Sequence, residues 1–182
     1  MKEQFLFFKI RNWADTESFG KLYDLYVQKI YRFVYFKVGS QEDAQDITSQ
    51  TFLKVWQHLT TENSDKVRNV NAFIYQVARN SVIDYFRAKG VEQEWQENFE
   101  VAEEQPAQDN TQDMVQKNLD KEMILGGIKK LKPGQQEVIM MRYVEDMDLN
   151  DIALIINKSN GATRVIIHRA LQELKKILNE PK

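Results

Sequence analysis

The chain reads as all-α, with two small helical domains joined by an acidic tether and a helix-turn-helix in the second. Three features carry this expectation. Gly and Pro number only 7 and 3 in 182 residues, too few for the turns an all-β chain of this length needs. Apolar residues recur at steps of three and four toward both ends of the chain, the spacing of one helix face. The middle, residues 91–118, is rich in acids and Gln, holds Pro106 and sustains no apolar period, a composition that suits a flexible connector. The domains are therefore expected at 1–90 and 119–182. A surface helix from Val91 to Phe99 followed by a loop is the alternative for the middle.

Within the first block, Phe19, Leu22, Tyr23, Tyr26, Ile30, Phe33 and Val34 share one face of a helix, with Gly39 as its left-handed stop. Ser40 then caps a second helix, with Asp43 three residues on as a weak relative of the capping box. Ala44, Ile47, Thr51, Phe52, Val55 and Leu59 line one face of this helix. Leu53 falls opposite, among Asp46, Gln50 and Gln57, with Trp56 beside it. An exposed Leu next to a Trp, framed by polar groups, suits a protein-binding patch; the alternative is that Trp56 closes the core edge. Thr60–Asn69 is polar and reads as a loop.

A third helix runs from Val70 to about Lys89 and is apolar nearly all round, as a helix packed between neighbours would be. Its polar strip holds Gln76, Arg79, Asn80, Asp84 and Arg87. The strip suits phosphates and unstacked bases, while the Asp84–Arg87 spacing equally suits a structural ion pair.

In the second block, Pro133 fits the first turn of a helix continuing through Val138, Ile139 and Tyr143. Asp146 and Met147 interrupt it. Asp148 can cap a short helix, Leu149–Ile156, onto which Met147 can staple at Ile152. Asn157 tolerates left-handed angles, and Ser159 can cap the helix that follows. A short helix, a tight turn and a longer helix make a helix-turn-helix outline, and small Ala153 allows a close crossing.

The last helix has Thr163, Ile166, Ile167, Ala170, Leu171, Leu174, Ile177 and Leu178 within a sector of about 140° at 100° per residue. Its other face holds Arg164, Val165, His168, Arg169, Gln172, Glu173, Lys175 and Lys176. In a helix-turn-helix the second helix enters the DNA major groove by its N-terminal residues, here Asn160 and Arg164. Arg suits guanine and Asn adenine, and Val165 suits a thymine methyl. Lys175 and Lys176 lie farther along, where phosphate is the partner. His168 is read as a neutral donor to phosphate or to the helix-turn-helix frame. A plain solvated helix is the alternative for the whole face.

Composition excludes several classes of function. The absence of Cys removes disulfides, thiolate metal sites and a Cys nucleophile. Two His, at 58 and 168, leave almost no material for a zinc site or a His-based triad. No apolar run approaches the ~18–20 residues of a membrane helix, and the N-terminus lacks a signal-peptide pattern. A cytoplasmic chain is expected, without cofactor, metal, catalytic residues or membrane insertion. The net charge of −2 hides a division. Residues 1–90 hold 13 Lys+Arg against 10 Asp+Glu, residues 91–118 hold 1 against 8, and residues 119–182 hold 11 against 9. A metal-dependent nuclease would need a rigid acidic cluster, and the densest acids lie in the expected tether.

These stretches resemble a known family. Residues 46–56, DITSQTFLKVW, resemble the core-binding helix of sigma-70 family RNA polymerase sigma factors. Residues 71–87, NAFIYQVARNSVIDYFR, resemble the adjoining helix that meets the upstream edge of the melted promoter. Residues 131–143, LKPGQQEVIMMRY, with Ile152-Ala153 and residues 159–171, SNGATRVIIHRAL, resemble the family's second DNA-reading domain. Their order and spacing are similar to those of the two-domain extracytoplasmic-function (ECF) subfamily.

The resemblance implies that Asp46, Gln50, Leu53 and Trp56 bind the core polymerase. It places Arg79, Asn80 and Arg87 at the minus-ten element, and gives Thr60–Asn69 the loop that captures a flipped base. It assigns Asn160, Arg164, Val165, His168, Arg169 and Lys175 to the minus-thirty-five element. The partners implied are bacterial RNA polymerase core and promoter DNA, with an anti-sigma factor as a further possibility, and the tether would thread a cationic channel. The alternative of a different class is a free-standing helix-turn-helix regulator, in which Leu53 and Trp56 have no role. Ser49, Gln50, Phe73 and Asn157 depart from the commoner family residues.

Overall fold

The structure, a computed structural model, describes residues 2–61, 67, 69–90 and 121–179. The expected tether therefore lies outside the described residues, as does most of the Thr60–Asn69 loop. Among the described residues there are helices and turns and no strand. The helices group into two compact units, one around α1 to α4 and one farther along the chain.

In the first unit, α1 spans Lys2–Trp13, α2 Thr16–Val38, α3 Gln41–Leu59 and α4 Val70–Ala88. Helix α2 packs on α1, α3 and α4, and α3 packs on α4. The core is filled from the faces the periodicity predicts on α2 (Leu22, Ile30, Phe33 and Val34) and α3 (Ala44, Phe52, Val55 and Leu59), and by Ile74, Tyr75 and Ala78 of α4, all buried. Phe33 meets Tyr75 edge to face at 5.3 Å, a favoured aromatic geometry. Gly39 ends α2 at φ 73° and donates to the Tyr35 carbonyl. Ser40 caps α3 through the Asp43 N–H, and Asn69 caps α4 through the Ala72 N–H at 3.0 Å.

Helix α1 was not anticipated. Phe5, Leu6, Phe7 and Phe8 are contiguous, so no three-to-four step stands out. Phe7 and Ile10 face the core, while Phe5, Phe8 and Trp13 are exposed.

Farther along the chain, α5 spans Lys121–Lys129, α6 Pro133–Ile139, α7 Leu149–Ile156 and α8 Asn160–Asn179. Helices α5 and α6 both pack on α8. The approach of α5 is close: a Cβ on Gly127 would lie 2.8 Å from Leu178 Cδ2. The predicted continuation to Tyr143 is present, but it passes at Met140 from α to π winding. Met140–Val144 forms a π turn, closed by the Glu145 N–H on the Met140 carbonyl at 3.0 Å. Met147 then donates to the Met141 carbonyl, and Arg142 Nη1 donates to the Met147 carbonyl at 2.7 Å. Asp146 takes φ 51°, which lets the chain double back and bury Met147.

Candidate nucleic-acid and partner-binding surfaces

The helix-turn-helix follows from local capping. Asp148 Oδ1 accepts from the Asp151 N–H at 2.9 Å and starts α7. Asn157 adopts φ 55°, and the Lys158 N–H returns to the Ala153 carbonyl. Ser159 Oγ accepts from the Ala162 N–H at 3.2 Å and starts α8. Thr163, Ile166, Ile167, Ala170, Leu171 and Leu174 are buried. Arg164, Arg169, Lys175 and Lys176 are exposed on the opposite face, and Val165 is half-buried.

Two residues of this face have partners that spacing alone did not reveal. Asn160 is exposed, and its Nδ2 donates to Asn150 Oδ1 at 2.7 Å, tying the starts of α7 and α8. The His168 imidazole pairs with Gln172 Nε2 at 2.9 Å. His168 is thus held within α8 itself, one turn along.

On α3, Asp46, Gln50 and Leu53 are exposed on one stripe, and Leu53 keeps 57% of its surface accessible. Trp56 is half-buried and its ring meets Phe19 at 4.9 Å. The two readings of Trp56 therefore meet: it closes the core edge and borders the Leu53 stripe.

On α4, Asn80 and Arg87 are exposed and Arg79 is half-buried. Arg87 Nη1 lies 3.3 Å from Asp84 Oδ1, the pair the spacing suggested. The other oxygen of Asp84 accepts from Lys54 Nζ at 3.1 Å, and Lys54 also donates to Ser81 Oγ at 3.2 Å.

A second tie joins α3 to α4. The Tyr85 hydroxyl donates to Asp43 Oδ2 at 2.7 Å, and Lys89 reaches the same pair. The Tyr85 hydroxyl, then Ser40 and Lys89, hold the Asp43 carboxyl below its ordinary value. Tyr85 and then the Asp43 charge hold the Lys89 ammonium above its own. Lys54, Tyr85 and Lys89 were absent from the sequence-based site. The carboxylate partners of Lys54 and Tyr85 stand 30 and 42 residues away, beyond any helical period, and Lys89 joins them through Tyr85, one turn back on α4.

Among the described residues no helix is long and apolar enough to cross a membrane, and no group of His, Cys, Asp or Glu is placed to hold a metal.

A capped helix-turn-helix with a cationic outer face defines a DNA-reading class of protein. A separate four-helix unit exposes an apolar stripe and an Asn/Arg strip, features a plain repressor does not need. Comparison with known proteins narrows the class. A model of Sigma-70 region 2 matches residues 22–91, and one of Sigma-70 region 4 matches residues 127–176. The chain belongs to the sigma-70 family of RNA polymerase sigma factors, in its ECF subfamily.

Relatives include the ECF sigma factor BldN of Streptomyces coelicolor, 29% identical over 165 residues. That match takes in 91% of this chain and 62% of BldN, so the chain spans less than two thirds of that relative. SigW of Bacillus subtilis is 25% identical over 176 residues, 92% of each protein. SigM of Bacillus subtilis is 25% identical, covering 89% of this chain and 96% of SigM. The fold is similar to that of CnrH in its complex with the cytosolic domain of CnrY. There the TM-score is 0.72 and the identity 18%, over 100% of both chains. It is similar also to RpoE in complex with the anti-sigma factor NepR from Bartonella quintana. The TM-score is 0.65 and the identity 20%, over 91% of this chain and 99% of the other.

Proposed function

We propose that this sigma factor brings core RNA polymerase to specific promoters in the cytoplasm and helps to open them, with no catalysis of its own. The observation that carries this is the pairing, in one chain, of an exposed Leu53 stripe on α3 with an exposed cationic face on α8. Asp46, Gln50, Leu53 and Trp56 meet the core polymerase. An exposed Leu bordered by a Trp and polar groups has the anatomy of a small interface hot spot.

Arg79, Asn80 and Arg87 on α4 meet the minus-ten element as it melts. Contacts to bases and phosphates that form only when the strand unstacks favour the open state by their full binding energy. Asn160, Arg164, Val165, His168, Arg169 and Lys175 on α8 meet the minus-thirty-five element as duplex. Arg164, whose exposure in the first turns of α8 supports this reading, reads a base; Lys175, three turns on, neutralises phosphate. The acidic segment 91–118 connects the two activities within the polymerase, where negative charge suits a channel built for nucleic acid. An anti-sigma factor that covers these surfaces would silence the protein; the structural neighbour RpoE is in complex with the anti-sigma factor NepR.

In vitro transcription with purified core polymerase over a promoter library tests this. Addition of the chain should create a defined set of start sites. Unaltered start-site choice would refute the proposal.

A further inference from the structure

Asn80, Asp84 and Arg87 follow one another at four- and three-residue steps along a single face of α4. Two of them are assigned to the promoter strand, yet the middle member is a carboxylate. Negative charge within a surface that meets a phosphate chain opposes binding unless cations neutralise it. Two cations do so. Lys54 Nζ, reaching across from α3, lies 3.1 Å from Asp84 Oδ2, and Arg87 Nη1 lies 3.3 Å from Oδ1. Lys54 is anchored further by the buried hydroxyl of Ser81 at 3.2 Å. The three charged side chains keep 45%, 53% and 57% of their surface accessible. Ion pairs this exposed contribute little to stability, so they exchange easily.

We propose that Lys54 is a further nucleic-acid contact and that Asp84 is its resident counter-ion. In the promoter complex a backbone phosphate takes the place of the Asp84 carboxylate between Lys54 and Arg87. The inference rests on the proposed strand-binding role of α4. It adds to that role a residue from a different helix and an internal competitor. A backbone phosphodiester spreads one negative charge over two non-bridging oxygens, as a carboxylate does, so it can bridge the same guanidinium and ammonium. The exchange also releases counterions from the nucleic acid. Asp84 therefore lowers affinity for all DNA while holding both cations in the orientation a phosphate needs.

The test uses holoenzyme assembled from core polymerase and the full chain. It is titrated with a promoter fragment carrying a pre-melted segment at several salt concentrations, and the melting temperature of each variant is recorded. Lys54→Gln should lower the salt slope by about one and weaken DNA binding several-fold at moderate salt. Lys54→Arg should retain the slope. Asp84→Asn should tighten binding several-fold. A wild-type slope and affinity in Lys54→Gln overturns the proposal, as does weaker binding by Asp84→Asn at unchanged melting temperature. If Asp84→Asn itself unfolds, the Lys54→Gln slope decides the matter. Wild-type holoenzyme that binds the promoter no better than random DNA would instead sink the parent assignment of α4, and this one with it.

Discussion

Leu53→Asp on α3 separates folding from partner binding. Leu53 retains 57% of its surface in the free protein, and the core-facing side of α3 is occupied by Phe52, Val55 and Leu59. Removing the Leu side chain therefore costs the fold little; exposed substitutions usually fall within about 0.5 kcal/mol. Binding is different. Complete burial of a Leu side chain is worth roughly 2–3 kcal/mol, and just over half remains available to a partner. Lost transfer energy alone thus comes to about 1.5 kcal/mol, or roughly tenfold in affinity. Placing an unpaired carboxylate against an apolar pocket adds about 1–3 kcal/mol. The expected loss is on the order of a hundredfold or more in affinity for core polymerase, with a melting temperature within a few degrees of wild type. Titration of labelled core polymerase beside a circular-dichroism melt measures both. Wild-type affinity in a folded Leu53→Asp chain would refute the assignment of the stripe.

Arg164→Ala should reduce discrimination at the upstream element by about 1–3 kcal/mol if Arg164 reads a base, measured by competition between promoter variants; an unaltered preference would relegate it to phosphate contact. Asp148→Ala removes the acceptor at the start of α7 and should destabilise the second unit by about 1 kcal/mol, seen as a lower melting temperature. Gly127→Leu should destabilise by about 1–3 kcal/mol through overpacking, because even a Cβ at this position crowds Leu174 and Leu178; an unchanged melt would mean that α5 moves aside freely. Tyr85→Phe probes the Asp43 network by pH. The depressed Asp43 contributes stability above the usual Asp value of about 3.9 that is lost as pH falls through its folded value, and the raised Lys89 contributes below about 10.4 and is lost as pH rises beyond its folded value. The difference in melting temperature between wild type and Tyr85→Phe should be greatest between these limits and shrink at both extremes.

Short-range signals determined much of this protein. The faces of α2, α3 and α8, the stop at Gly39, the caps at Ser40, Asp148 and Ser159 and the turn at Asn157 all arise from interactions within about four residues, where residue type and helical period suffice. The outward stripe of Leu53 and the cationic face of α8 followed from the same period. The π turn at Met140–Val144 did not. It depends on Arg142 closing onto the Met147 carbonyl and on the burial of Met147, and these compete with α winding of the same residues. Nor could periodicity find Lys54 beside Asp84 or Tyr85 beside Asp43, since helix packing alone brings those pairs together. A sequence encodes which side of each helix is apolar; the packing of one helix on another then decides which polar groups on the remaining sides come within hydrogen-bond reach, because that reach is about 3 Å and is set by the axial register of the two helices.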